Sequence, residues 1–426
     1  MIDILNQRVQ RNPNKEFVEY KNQNISYKQF NNIVNNISND IKLHDLKNRY
    51  VGLKIIDKLK LLALIIALNR ANKIPVLYPN YPNIQDYLKS SNIPITFKDN
   101  DIIINPNNNT EHMTDITYDE DATQIVLFTS GTTGIPKACR LTYKNIYCSA
   151  VQWNKILQFN DDDVFLNHMP IIHVSGLCIF FRALYYNFKM ILTKFNPNSC
   201  LNYIQDNQIT LVSMVPNMLQ QTTDNASKVN ISNNLKGMII SGAEINSKNF
   251  DTITKYQIPA YIAYGMSETT SGIAGFWYHP SKPKSYISHK YTSINLHKSK
   301  IVITGDTVMK GYLNDENLNR TFISNDIGKI KNDLSFKIIK REGVISNYGG
   351  EIVSKKYIQD HIEQYPHIDQ CTLKVVQDSN WGEVLHAYIK LKENIDSNSL
   401  LKKIKQSLPK HMVPKKIIIQ NDTDYR

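Results

Sequence analysis

Between Gln124 and Glu268 the chain keeps returning to one device, a short apolar run that closes on small or polar residues. QIVLFTS, DVFLNHMP, LVSMVP, MIISGA and YIAYGMSE are runs of this kind, and YKNIYCSAVQWNKIL has the length and periodicity of a helix. Runs this short and apolar predict buried strands. Their alternation with helical segments predicts an α/β layer structure around a parallel sheet. Open sheets of that class bind ligands beyond the carboxyl ends of their strands, so these Gly-, Ser- and Thr-bearing ends point at one crevice.

Upstream, VGLKII and IPVLYP read as strands flanking the helical run KLLALIIALNRAN. An amphipathic helix near Ile2–Val9, the aromatic segment FVEYKNQNISYKQF and a further helix precede them. The Asn-rich stretch 104–115 has the turn chemistry of a surface loop. Past Lys340 the pattern changes to a Gly-containing loop, a helix (KKYIQDHIEQY), two strands (CTLKVVQD, VLHAYIKL) and a helix (SLLKKIKQSL). The expected organisation is a large N-terminal α/β domain of layered sheets and helices, residues 1–340, followed by a small α+β unit, residues 341–426.

With 42% hydrophobic and 21% charged residues, the 426-residue chain is ordinary globular material, neither collagenous nor disordered. Its 50 Lys and Arg against 38 Asp and Glu leave +12. The basic residues are spread along the sequence without a block or an Arg-rich face, so no nucleic-acid partner is expected; such a surface favours small anionic ligands. The five cysteines, Cys139, Cys148, Cys178, Cys200 and Cys371, show no C-x-x-C pair and predict free thiols in a reducing compartment. The N-terminal stretch lacks the apolar core of a signal peptide, and the longest apolar run, Leu61–Leu68, falls far short of the ~20 residues that span a bilayer. A cytoplasmic location with no membrane span is expected, with homo-oligomerisation left open.

The strongest local signal is Thr129-Ser130-Gly131-Thr132-Thr133-Gly134-Ile135-Pro136-Lys137, with a strand in front and a helix behind. Two glycines permit a tight turn, hydroxyls and N–H groups can donate to phosphate oxygens, and Lys137 adds a point charge. The spacing is not that of a Walker A loop.

TSGTTGIPK resembles the phosphate-binding loop of the adenylate-forming (AMP-binding) superfamily, which includes the acyl-CoA synthetases. Further pieces follow in the family's order over nearly the whole chain. The resemblance implies a two-step reaction of a carboxylic acid with ATP and Mg²⁺, giving an acyl-adenylate and pyrophosphate, after which the thiol of coenzyme A displaces AMP. MPIIHVSGL is similar to the family's P-x-x-H-x-x-G segment, which implies that His173 steers the carboxylate, with Ser175 and Gly176 beside it. In YIAYGMSETTS, Tyr264 would stack on adenine beside Gly265 and Met266, Ser267 would hold the α-phosphate or the acid, and Glu268 would coordinate magnesium. One carboxylate plus substrate phosphates is a usual Mg²⁺ site. Ser241-Gly242-Ala243 resembles the turn bordering adenine and acyl pocket, Asp326 in ISNDIGKI would clamp the ribose diol, and Arg341 would add a second contact.

Gly349-Gly350-Glu351 matches the family's lid motif and implies a mobile C-terminal lid that takes part in coenzyme A binding. The hinge position falls on Val344 beside Gly343, where the family has a charged residue. After Trp381-Gly382-Glu383 and Val413-Pro414-Lys415 the family continues to an adenylation lysine, whereas this sequence ends at Arg426. Either that lysine lies beyond the sequence, or it is lost and the first half-reaction is weakened.

The apolar stretch VSGLCIFFRAL holds one arginine, Arg182, placed either to snorkel or to meet a second carboxylate on the substrate. Through KMILTKFNP the segment is most similar to the 2-succinylbenzoate–CoA ligases of menaquinone biosynthesis, which act on an aromatic dicarboxylic acid. Another acyl- or aryl-CoA synthetase, or a non-catalytic nucleotide-binding homologue, are the alternative readings.

Overall fold

The computed structural model describes residues 1–41, 43–106, 116–129, 135–225, 231, 233–315, 317–341, 345–347, 351–378, 382–392 and 396–420. Two large sheets dominate them. One has nine strands in the order Ile287–Ser288, Ser271–Trp277, Ala260–Met266, Gly237–Ile240, Leu211–Met214, Val164–Asn167, Lys189–Leu192, Glu16–Tyr20, Gln23–Ser26. Its interior pairs, from Ala260–Met266 to Glu16–Tyr20, are parallel, and the outer pairs are antiparallel. The other has six strands, Gly311–Tyr312, Lys137–Thr142, Thr123–Thr129, Ile74–Leu77, Tyr50–Lys54 and Ile95–Lys98. The α/β class expected from the alternating runs is the one observed. The aromatic segment near Glu16 adds a hairpin to the nine-stranded sheet, a placement that local periodicity does not reveal.

The helix expected at YKNIYCSAVQWNKIL is observed, and before it lies a strand that the sequence does not announce, Lys137–Thr142, which runs antiparallel to Thr123–Thr129 with Thr129 opposite Lys137. The helix Tyr143–Leu157 begins only after that strand, capped by the Thr142 side chain. In Lys-Ala-Cys-Arg-Leu-Thr the residues Ala138, Cys139, Leu141 and Thr142 are buried, a spacing without strand alternation, so the pairing with Thr123–Thr129 and not the local pattern makes this segment a strand.

Two helices are buried nearly all round, Lys58–Arg70 and Val174–Tyr186, and they share one apolar cluster with strands of both sheets. A helix apolar on every side belongs between layers, and full burial of each Leu, Ile or Phe contributes about 1.5–3 kcal/mol. Asp57 caps the first helix through Leu59 N and Lys60 N, both at 3.1 Å. Arg8 closes the end of the second, its guanidinium donating to the carbonyls of Leu184 and Tyr185. Those carbonyls have no partner within their own helix.

A four-stranded antiparallel sheet, Thr292–His297, Lys300–Gly305, Thr321–Ile330 and Phe336–Arg341, follows the nine-stranded one. Beyond it, Ile345–Asn347 pairs with Glu351–Val353, and a three-stranded sheet of Ile368–Asp378, Gly382–Leu391 and Lys416–Ile419 packs with helices Lys355–Glu363 and Ser397–Ser407 around its own apolar cluster. This C-terminal part touches the preceding part through Tyr357, whose hydroxyl donates to Asp86 and accepts from Asn83 Nδ2 at 2.8 Å. All five cysteines are free. Among the described residues no helix is long and apolar enough to cross a membrane.

Candidate active site

The carboxyl ends of the parallel strands open into a cavity of about 1010 Å³, at the upper end of ordinary small-molecule pockets. Its wall includes Thr129 and Lys137 from the paired strands Thr123–Thr129 and Lys137–Thr142, His173 and Ser175 from the amino end of the buried helix, and the turn Ser241-Gly242-Ala243. Gly242 holds a left-handed φ of 86°, a conformation open to glycine without a Cβ penalty. Tyr264, Gly265, Met266, Ser267 and Glu268 line it as their strand runs out into a short turn, and Asp326 and Arg341 enter from the four-stranded sheet.

Polar groups of the cavity wall form two linked sets. The Tyr264 phenol donates to Asp326 Oδ2 at 2.6 Å, and Arg341 Nε lies 3.3 Å from Asp326 Oδ1. Burial and the Asp326 carboxylate hold the Tyr264 phenol well above its ordinary pKa, so it stays a donor. Glu268, 8% exposed, accepts from the Tyr312 hydroxyl at 3.0 Å, and the Lys137 ammonium sits 5.0 Å from the centre of the Tyr312 ring. Among the described residues no three His, Cys, Asp or Glu side chains gather closely enough to hold a metal by themselves. A single buried carboxylate is the hard-oxygen donor that Mg²⁺ shares with phosphates.

A further part of the cavity wall is built round Arg182. Its guanidinium is 2% exposed, lies 4.6 Å over the Trp153 ring, and donates from Nη2 to Ser271 Oγ at 3.0 Å. Its Nε has no protein acceptor, and among the described residues no carboxylate pairs with it. Burial lowers this guanidinium to about 10, which still leaves it charged at neutral pH. Nearby His289 is hydrogen-bonded through Nε2 to the Tyr261 hydroxyl at 2.8 Å, and burial together with the charge of Arg182 pushes it down to about 4, so it is neutral. An unpaired cation buried in a cavity wall is costly unless an anion arrives to meet it.

The loop carrying His173 is fixed from behind. Lys58 Nζ donates to the carbonyls of Asn167, Met169 and Thr193 at 3.1, 2.9 and 2.8 Å, using all three of its protons. His173 N donates to Pro170 O at 3.2 Å, and its carbonyl accepts from Leu177 N at 3.0 Å to start the helix. Gly176 does not line the cavity. Its place is a close approach, where a Cβ would lie 2.3 Å from Pro170 O.

Of the expected residues, Ser130, Gly131, Thr132, Thr133, Gly134, Gly343, Val344, Gly349, Gly350 and Trp381 lie outside the described residues, and Glu351 is described only as the first residue of its strand. Four contributors escaped the sequence reading: Trp153, Ser271, Tyr312 and Lys58. Ser271 could have been found as the neighbour of the SETT segment. Tyr312 stands 44 positions from the Glu268 it contacts, and no local pattern joins them.

The AMP-binding enzyme family matches residues 5–313. The 2-succinylbenzoate–CoA ligase of Bacillus licheniformis is 30% identical over 321 residues, 70% of this chain and 66% of that protein. That of Staphylococcus aureus (strain MSSA476) is 29% identical over 325 residues, covering 73% of this chain and 66% of that protein. The matched stretch thus spans just under two thirds of these curated relatives. In three dimensions the chain resembles a double mutant of o-succinylbenzoate CoA synthetase from Bacillus subtilis bound with its product analogue, with a TM-score of 0.88, 21% identity, and coverage of 99% of this chain and 95% of that one. Against the same Bacillus subtilis enzyme in complex with ATP and magnesium ion the TM-score is 0.74 at 20% identity, covering 99% and 96%. On the extent of the family match, the chain belongs to the AMP-binding enzymes.

Proposed function

We propose that this protein is an ATP-dependent acid–CoA ligase that works through an acyl-adenylate, with 2-succinylbenzoate as its acid and AMP and pyrophosphate as by-products. The observation that carries the choice of acid is Arg182, buried in the cavity wall and without a carboxylate partner among the described residues. A monocarboxylic acid would leave that cation uncompensated. A dicarboxylic acid meets it with one carboxylate and presents the other to the nucleotide. The relatives named 2-succinylbenzoate–CoA ligases support the same choice.

In this reading residues 1–340 bind nucleotide and acid, and residues 341–426 form a lid. Asp326 accepts from the ribose diol with Arg341 beside it, and Tyr264 offers its ring to adenine. Thr129 and Lys137 flank the triphosphate. Glu268 would hold magnesium, which when bound screens the phosphate charge. Ser267 and His173 orient the acid, one of whose carboxylate oxygens attacks the α-phosphorus as the bond to the leaving pyrophosphate breaks. The coenzyme A sulfur, its proton passing to solvent or base, then attacks the acyl carbon and AMP departs. The reaction gains rate chiefly from holding these groups together in the right orientation.

The test is pyrophosphate release over a panel of carboxylic acids with ATP and Mg²⁺, followed by thioester formation on adding coenzyme A. Turnover with 2-succinylbenzoate and little with monocarboxylic analogues is expected. Turnover of a monocarboxylic acid that survives Arg182→Leu, with 2-succinylbenzoate inert, would transfer the assignment to another acyl- or aryl-CoA synthetase.

A further inference from the structure

We infer that Tyr312 is a positioning residue for the metal-binding carboxylate: it holds one oxygen of Glu268, turns the other toward the phosphates, and joins that carboxylate to the lysine that closes the phosphate segment. The inference rests on the reading of Glu268 as the magnesium residue.

Several features converge on this side chain. The short strand Gly311–Tyr312 pairs antiparallel with Lys137–Thr142, placing Tyr312 opposite Cys139, two residues beyond Lys137. That register brings the phenol ring beneath the lysine, with Nζ 5.0 Å from the ring centre, within the range of a cation–π contact. The hydroxyl meanwhile donates to Glu268 Oε1 at 3.0 Å. The backbone repeats the tie, since Met309 N, three residues before Tyr312, donates to the Glu268 carbonyl at 2.9 Å. Tyr312 also lines the cavity. A carboxylate bonded at one oxygen retains a second for a cation, and its rotation about the terminal bond is stopped by the bond it already has. Hydrogen-bond partners that orient a metal ligand typically cost 10- to 100-fold in metal affinity when removed, roughly the effect expected here.

The experiment is a titration with Mn²⁺, followed by electron paramagnetic resonance of the free ion, in the presence of a non-hydrolysable ATP analogue. Tyr312→Phe keeps the ring beneath Lys137 and removes only the hydroxyl. It should weaken Mn²⁺ binding about tenfold or more while leaving metal-free binding of the analogue, measured in chelator, within about twofold. Tyr312→Leu should weaken both, because Lys137 loses its ring. Glu268→Gln is run alongside. If it binds Mn²⁺ as well as the parent protein, the magnesium assignment itself falls. If it loses the metal and either folded Tyr312 variant does not, the role given to Tyr312 is overturned and the assignment of Glu268 stands.

Discussion

The phenol of Tyr264 and the carboxylate of Asp326, 62 positions apart in the chain, meet in a 2.6 Å hydrogen bond at the edge of the cavity. The bond is made to a charged acceptor that is 3% exposed, and such bonds contribute about 1.5–3 kcal/mol. It crosses from the nine-stranded sheet to the four-stranded one, so it both holds the sheets together and aims Asp326. Tyr264→Phe should lower unfolding free energy by about 1–3 kcal/mol in urea and raise the KM for ATP several-fold, with a smaller change in the KM for the acid. An unchanged KM for ATP would remove Asp326 from the nucleotide site.

Arg182 sets function against stability. Replacing it with Met removes a buried cation that has no carboxylate partner among the described residues, a change often neutral or stabilising by about 1–4 kcal/mol. The Arg182→Met variant should melt at or above the temperature of the parent, yet lose about 100-fold or more in kcat/KM for 2-succinylbenzoate, since a desolvated charge pair carries about 3 kcal/mol or more. Calorimetry and a pyrophosphate assay on one preparation check both halves.

Gly176 has no room for a methyl group. A Cβ 2.3 Å from Pro170 O meets backbone, which cannot swing away as a side chain would. Gly176→Ala should therefore cost about 1–3 kcal/mol of stability and displace the turn that carries His173, lowering kcat for adenylate formation more than it changes the KM for ATP. Chemical denaturation and pyrophosphate exchange measure the two effects.

Lys58 gives a pH signature. Burial and the neighbouring charge of Lys194 lower its ammonium from 10.5 to about 8 in the folded chain. Between those values the unfolded chain binds the proton more readily than the folded one, so this group's contribution to stability increases as pH rises from about 8 and is constant below that. The stability difference between parent and Lys58→Met should shift in the parent's favour by about 1–3 kcal/mol between pH 7 and 10, read from urea midpoints. A difference that stays flat would mean that the ammonium is better solvated than its three carbonyl partners imply.

Which parts of this protein were already written in its order of residues? Short apolar runs ending in small polar residues specify buried strands and the crevice at their ends, because backbone geometry and side-chain period act over a few positions. The motifs around Thr129, His173, Glu268 and Asp326 were legible for the same reason, each being a continuous segment. Tertiary structure alone decided the rest. It made the strand Lys137–Thr142 an antiparallel partner of Thr123–Thr129, brought Tyr312 to Glu268, stacked Arg182 on Trp153, and left that guanidinium without a carboxylate partner among the described residues. Whether a buried charge is paired depends on every element that reaches it. That is a property of packing across the whole chain, and no local stretch encodes it.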